Sequence, residues 1–75
     1  MPLQVTPKKL IKLLNKLGFE QTRIRGSHFR FAHPDGRKTS VPIHGNESLG
    51  PGILNSIIKQ DLKMNKNKFF ELLDK

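Results

Sequence analysis

The sequence predicts a small α+β fold in the order α-β-β-β-α-α, a three-stranded antiparallel sheet covered on one face by helices. Three observations carry this expectation. Apolar residues recur at helical spacing from Leu10 to Leu17. They then alternate with polar residues across two turn signals, Gly26-Ser27 and Pro34-Asp35-Gly36. Helical spacing returns after Pro51. With 75 residues, positions 1–75 are expected to form a single domain with a modest core.

Each element follows from local chemistry. Thr6 can cap free amides and Pro7 suits a first helical position. Leu10, Ile11, Leu13, Leu14 and Leu17 form one face of that helix, and Gly18 ends it. Lys8, Lys9, Lys12 and Lys16 take the other face, where solvation is the simpler reading than ligand contact. Residues 19–25 read as a first strand and residues 28–33 as a second, joined at Gly26-Ser27. His33-Pro34-Asp35-Gly36 is a turn, since proline fixes one dihedral and glycine accepts positive φ. His33 is expected to help shape it.

A third strand is expected over 37–43. Pro42 cannot donate to a ladder, which suits an edge. The segment from His44 to Gly50 is a loop. The second helix begins near Pro51, buries Ile53, Leu54, Ile57 and Ile58, and frays near Asp61. Asn65 caps a last short helix carrying Phe69, Phe70, Leu72 and Leu73.

Strand parity sorts the sheet by chemistry. Ile24, Phe29, Phe31, Val41 and Ile43 are expected inward. Arg23, Arg25, His28, Arg30, Lys38 and Ser40 are expected outward, leaving one sheet face apolar and the other cationic.

Composition narrows the function. Fourteen Lys and Arg against six Asp and Glu give a formal net charge of +8, which points to a polyanionic partner such as nucleic acid or an acidic protein. There is no cysteine, so disulfides and thiolate metal sites are excluded. Three histidines in three separate segments make a poor metal set, and no metal or cofactor is expected. No apolar run approaches the roughly 20 residues of a membrane span and no signal-peptide pattern precedes the first helix, so the expected compartment is the cytoplasm.

No P-loop or dinucleotide fingerprint is present, and no carboxylate pair has an evident acid–base or magnesium spacing. Ser27 and His28 are neighbours, which face opposite ways on a strand, so Ser27 is assigned to the turn rather than to a nucleophilic triad. What remains is a histidine among cations. A free imidazole titrates near pH ~6.5 and can move a proton beside a phosphate. RNA carries its own nucleophile, the ribose 2′-hydroxyl, so such a site needs no metal and should spare DNA. On these grounds alone His28 is either an ordinary surface residue or a catalyst. His44 could serve as structural support or in catalysis.

The chain resembles the HicA family of small bacterial toxins, which act as mRNA interferases. Four segments in order carry the resemblance over nearly the whole length: Leu13-Leu14-Asn15-Lys16-Leu17-Gly18-Phe19, Gly26-Ser27-His28, His33-Pro34-Asp35-Gly36-Arg37 followed by Val41-Pro42-Ile43-His44, and Leu54-Asn55-Ser56-Ile57-Ile58-Lys59-Gln60. The second helix departs from the pattern at Gly52-Ile53 and Asn55, and no RNA contact is assigned to it.

The resemblance implies a double-stranded-RNA-binding-domain-like fold and endoribonuclease activity on mRNA, which the lack of carboxylate pairs makes metal-independent by expectation. It also implies a HicB-type antitoxin as protein partner. The family's catalytic histidine maps onto His28, with Gly26, Ser27 and His44 in support. Arg23, Arg25, Arg30 and Lys38 are the expected RNA-binding residues, and the free toxin is expected to be a monomer. The competing class is a non-catalytic RNA-binding module of the same fold, which would hold phosphates and 2′-hydroxyls without chemistry. A purely structural subunit is a third reading, and the sorted cationic face argues against it.

Overall fold

The structure is a computed structural model that describes residues 5–43 and 47–73. Helix α1 spans Pro7–Leu17, strands β1, β2 and β3 span Glu20–Arg25, His28–Ala32 and Lys38–Pro42, helix α2 spans Pro51–Ser56, and helix α3 spans Lys66–Leu73. A π-helical turn, Ile57–Asp61, continues α2 directly. The strands form one antiparallel sheet in the order β1-β2-β3. This is the expected α+β architecture.

The ends of α1 are set by the chemistry its sequence announces. The Thr6 hydroxyl accepts from the Lys9 amide at 3.3 Å, and Pro7 fills the first helical position. Gly18 closes the helix at φ +102°, which satisfies carbonyls that the helix leaves open. The core gathers Leu10, Leu13 and Leu14 of α1 with Phe31, Val41, Leu54, Ile57 and Ile58. Leu62, Phe69, Phe19 and Val5 complete it. Asn65 caps α3 through its side-chain oxygen, which accepts from the Asn67 amide at 2.7 Å.

Three expectations need correction. Ile24 is 54% exposed and belongs to no core. Its phase is as read, since it pairs with half-buried Phe29. However, α1 and the π-helical turn pack against β3, and every residue of β1 is exposed. Ile53 is 49% exposed, because the buried stripe runs through Leu54, Ile57 and Ile58 and Ile53 falls on its flank. The second helix does not fray near Asp61 but widens into the π-helical turn, in which the Leu62 amide donates to the Ile57 carbonyl at 2.8 Å.

Strand ends are shorter than the sequence suggests. Phe19 is buried beneath the exit of α1 and His33 belongs to the turn network. A β-bulge between Gln21 and Arg23 sets Thr22 outside the regular pairing. Beyond the bulge the alternation is as expected.

Candidate functional site

The sheet's outward face is built by two hairpins. In the first, Arg25 pairs with His28, leaving a two-residue loop of Gly26 and Ser27. Gly26 takes φ +61°, the positive value that a type II′ hairpin needs at its first central position. His28 is therefore the first residue of β2 and stands at the lip of the sheet. The Ser27 carbonyl accepts from the Ile43 amide at 2.7 Å, which ties this turn to the end of β3. Ser27 is a turn residue, as its position beside Gly26 suggests.

Register assembles the cationic face. Arg25, His28 and Pro42 form one cross-strand row, and Arg23, Arg30 and Ser40 form the next. Ala32 and Lys38 make the row beyond. Opposed side chains in a row start about 5 Å apart. Alternate residues along a strand lie roughly 7 Å apart. His28, Arg23, Arg25, Arg30 and Lys38 are all exposed on this face. The structure thus brings together the five residues that the sequence singles out. His44 lies outside the described residues.

The second hairpin is a structural network. The His33 amide donates to the Arg37 carbonyl at 2.8 Å, and Gly36, at φ +103°, donates to the His33 carbonyl at 2.9 Å. His33 Nδ1 lies 3.1 Å from the Asp35 amide nitrogen and 3.0 Å from Asp35 Oδ1, while Nε2–H donates to the Leu17 carbonyl at 3.0 Å. The ring also meets Phe19 edge-on at 5.0 Å. Arg37 pairs with Asp35 at 2.7 Å, lies over the Phe19 ring at 5.2 Å and donates to the Leu62 carbonyl at 2.8 Å. The hairpin is thereby fastened to the ends of both α1 and the π-helical turn. Hydrogen bonding from the Arg37 amide, more than any other cause, holds the Asp35 carboxyl below its usual range.

Sequence reasoning missed two partners. Thr39 is the buried polar residue of the described core, 6% exposed, and its hydroxyl donates to Asp61 Oδ2 at 2.9 Å. Asp61 sits seven residues after Leu54, on the helix's apolar stripe. A lone carboxylate in such a stripe is the signal that could have found it, because burial there demands a partner. Both residues help to line a cavity of about 530 Å³ together with Phe31 and Ala32 of β2 and their neighbours on all three strands.

Among the described residues no group of His, Asp and Glu could hold a metal ion, and no helix is long and apolar enough to cross a membrane. No curated protein matches the chain. The model of a family described as the HicA toxin of bacterial toxin–antitoxin matches residues 7–61, from α1 through the π-helical turn. The chain belongs to the HicA family, the toxins of bacterial toxin–antitoxin systems.

Proposed function

We propose that this toxin is a metal-independent endoribonuclease that cleaves mRNA, with His28 as general acid–base catalyst and a HicB-type antitoxin as its inhibitor. The observation that carries the reading is the exposed His28 at the head of β2, in the same row as Arg25 and one row from Arg23 and Arg30. An RNA backbone laid across these rows brings a ribose and its 3′-phosphate to His28. The imidazole removes the 2′-hydroxyl proton as the oxygen attacks phosphorus. The P–O5′ bond breaks, and the departing 5′-oxygen takes up a proton. The products are a 2′,3′-cyclic phosphate and a 5′-hydroxyl end.

The arginines carry the electrostatic part. Negative charge grows on the phosphate oxygens in the transition state, and guanidinium groups held by a sheet answer it without reorganisation. General acid–base catalysis contributes about 10²–10⁴-fold, enough for a slow nuclease directed at a lethal target. DNA lacks the attacking hydroxyl and is spared.

Induced expression tests the assignment in cells. His28→Ala, at matched protein level, is expected to leave growth and mRNA intact where the unaltered toxin arrests growth. Equal toxicity of the two proteins contradicts catalysis by His28.

A further inference from the structure

The lysine face of α1 carries more than solvation needs. Lys8, Lys9, Lys12 and Lys16 are all exposed, and the helix contains no carboxylate. Solvation asks for polar groups and not for one sign of charge. Lys8 and Lys9 occupy the first turn, where the helix dipole favours anions and disfavours cations. Lys8 and Lys12 stand four residues apart, as do Lys12 and Lys16, and like charges at that spacing repel. Among the described residues no ion pair relieves Lys8, Lys9 or Lys12; those found join Asp35 to His33 and Arg37. The arrangement costs the helix stability, and a polyanion bound along it accounts for that cost.

We propose that this stripe binds the phosphate backbone of double-stranded RNA, as an anchor separate from the cutting face. The inference rests on the ribonuclease reading above for its RNA partner. Leu10, Leu13 and Leu14 of α1 are buried and the helix packs against β3, so its lysines face away from the sheet. His28 and its arginines lie on the sheet's other side. The domain's shortest extent is 21 Å, so one phosphate does not meet both surfaces. Side-chain chemistry selects the partner. A protein interface is built around apolar and aromatic anchors and is poor in lysine. The exposed large apolar residues of the described chain, Ile24 and Ile53, lie off α1. A duplex hides its bases and is held through its shape, phosphates and 2′-hydroxyls. It also carries roughly twice the charge of a single strand per unit length, which favours it on a surface that offers charge alone. At a rise of about 1.5 Å per residue, Lys8, Lys12 and Lys16 follow one another roughly 6 Å apart along the axis, a row that can track a backbone. The 2′-hydroxyl reaches its in-line position in a flexible strand and not in a duplex. A duplex on α1 is therefore an anchor and not the segment cut.

Binding measured without cleavage tests this separately from the chemistry. The full chain carrying His28→Ala is titrated with an RNA duplex of about 20 base pairs, with an oligouridylate of equal length and with poly-glutamate, and fluorescence anisotropy is read. Adding Lys8→Gln, Lys9→Gln and Lys12→Gln together is expected to weaken duplex binding about tenfold or more and to leave oligouridylate binding within about threefold. Because these lysines oppose the helix dipole and one another, the triple variant is expected to melt no lower than its parent. Should it fail to fold, the single variants decide, each with an expected loss of about two- to threefold for the duplex. Unchanged duplex affinity overturns the proposal. So does an equal loss for oligouridylate, which would mean attraction by overall charge, and so does an equal loss for poly-glutamate, which would mean a surface for an acidic protein. No arm reads cleavage, so a toxin that does not cut RNA through His28 leaves this test standing.

Discussion

Two histidines stand a few residues apart in this chain and have opposite surroundings. His28 is exposed at a hairpin lip, and its removal opens no cavity. His33 bonds to the Leu17 carbonyl and the Asp35 amide and touches the Phe19 ring. His28→Ala is therefore expected to change unfolding free energy by no more than about 0.5 kcal/mol. His33→Ala strips one hydrogen bond that joins the hairpin to α1 and one within the hairpin, and is expected to cost about 1–3 kcal/mol. Denaturant unfolding of both variants checks the pair, and a reversed order would mean that the roles are misassigned. Asp35 adds a dependence on pH. Its folded carboxyl is held low by Arg37, so its stabilisation is present above the ordinary carboxylate range and disappears as pH falls through the folded value. The melting-temperature gap between the parent and Asp35→Asn should narrow below about pH 4. A gap that stays constant down to pH 2 would contradict this.

At the level of elements, the sheet matters for what its rows hold in common. If Arg23, Arg25, Arg30 and Lys38 each meet a phosphate, neutralising any one lowers affinity and flattens the dependence on salt. For single strands the slope should fall by about 0.7 for each phosphate that is no longer neutralised. Unchanged slopes for all four variants would move the RNA path off this face. These rows are legible in the sequence because alternation is local: Phe29 and Phe31 fix the inward phase of β2, and hairpin pairing carries that phase to its neighbours. The caps of α1 and α3 are equally legible, since Thr6, Gly18 and Asn65 act within a turn of themselves. Ile24 and Ile53 depart from expectation for a reason that parity and period do not contain. Whether an inward residue is buried depends on how far the opposite layer extends, and here the helices pack on β3 rather than β1. The pairing of Asp61 with Thr39 is hidden in the sequence because the two lie 22 residues apart. The π-helical turn that precedes Leu62 has no sequence pattern of its own.

For the whole molecule, a net charge of +8, with Arg23, Arg25, Arg30 and Lys38 on one sheet face, is expected to govern its encounters with polyanionic partners. On the proposed function, RNA is expected to meet that face as substrate. An antitoxin that silences the toxin by covering His28 needs carboxylates for the same rows. Its association should be fast and should slow as salt rises, because exposed charges are screened beyond roughly 8–10 Å at physiological ionic strength. Stopped-flow binding from 50 to 500 mM salt would show this, and a rate indifferent to salt would point to another docking face. The bulged, arginine-bearing edge of β1 is also a poor template for pairing with a second copy. Catalysis at this face is tested most directly by incubating the purified toxin with RNA in EDTA, beside His28→Ala and beside the same RNA carrying a 2′-methoxy group at the cut site. Cleavage of the unmodified RNA alone, by the toxin with His28 alone, leaving cyclic or 3′-phosphate ends, is the predicted result. Cleavage of the 2′-methoxy RNA, or activity that vanishes in EDTA, would contradict it.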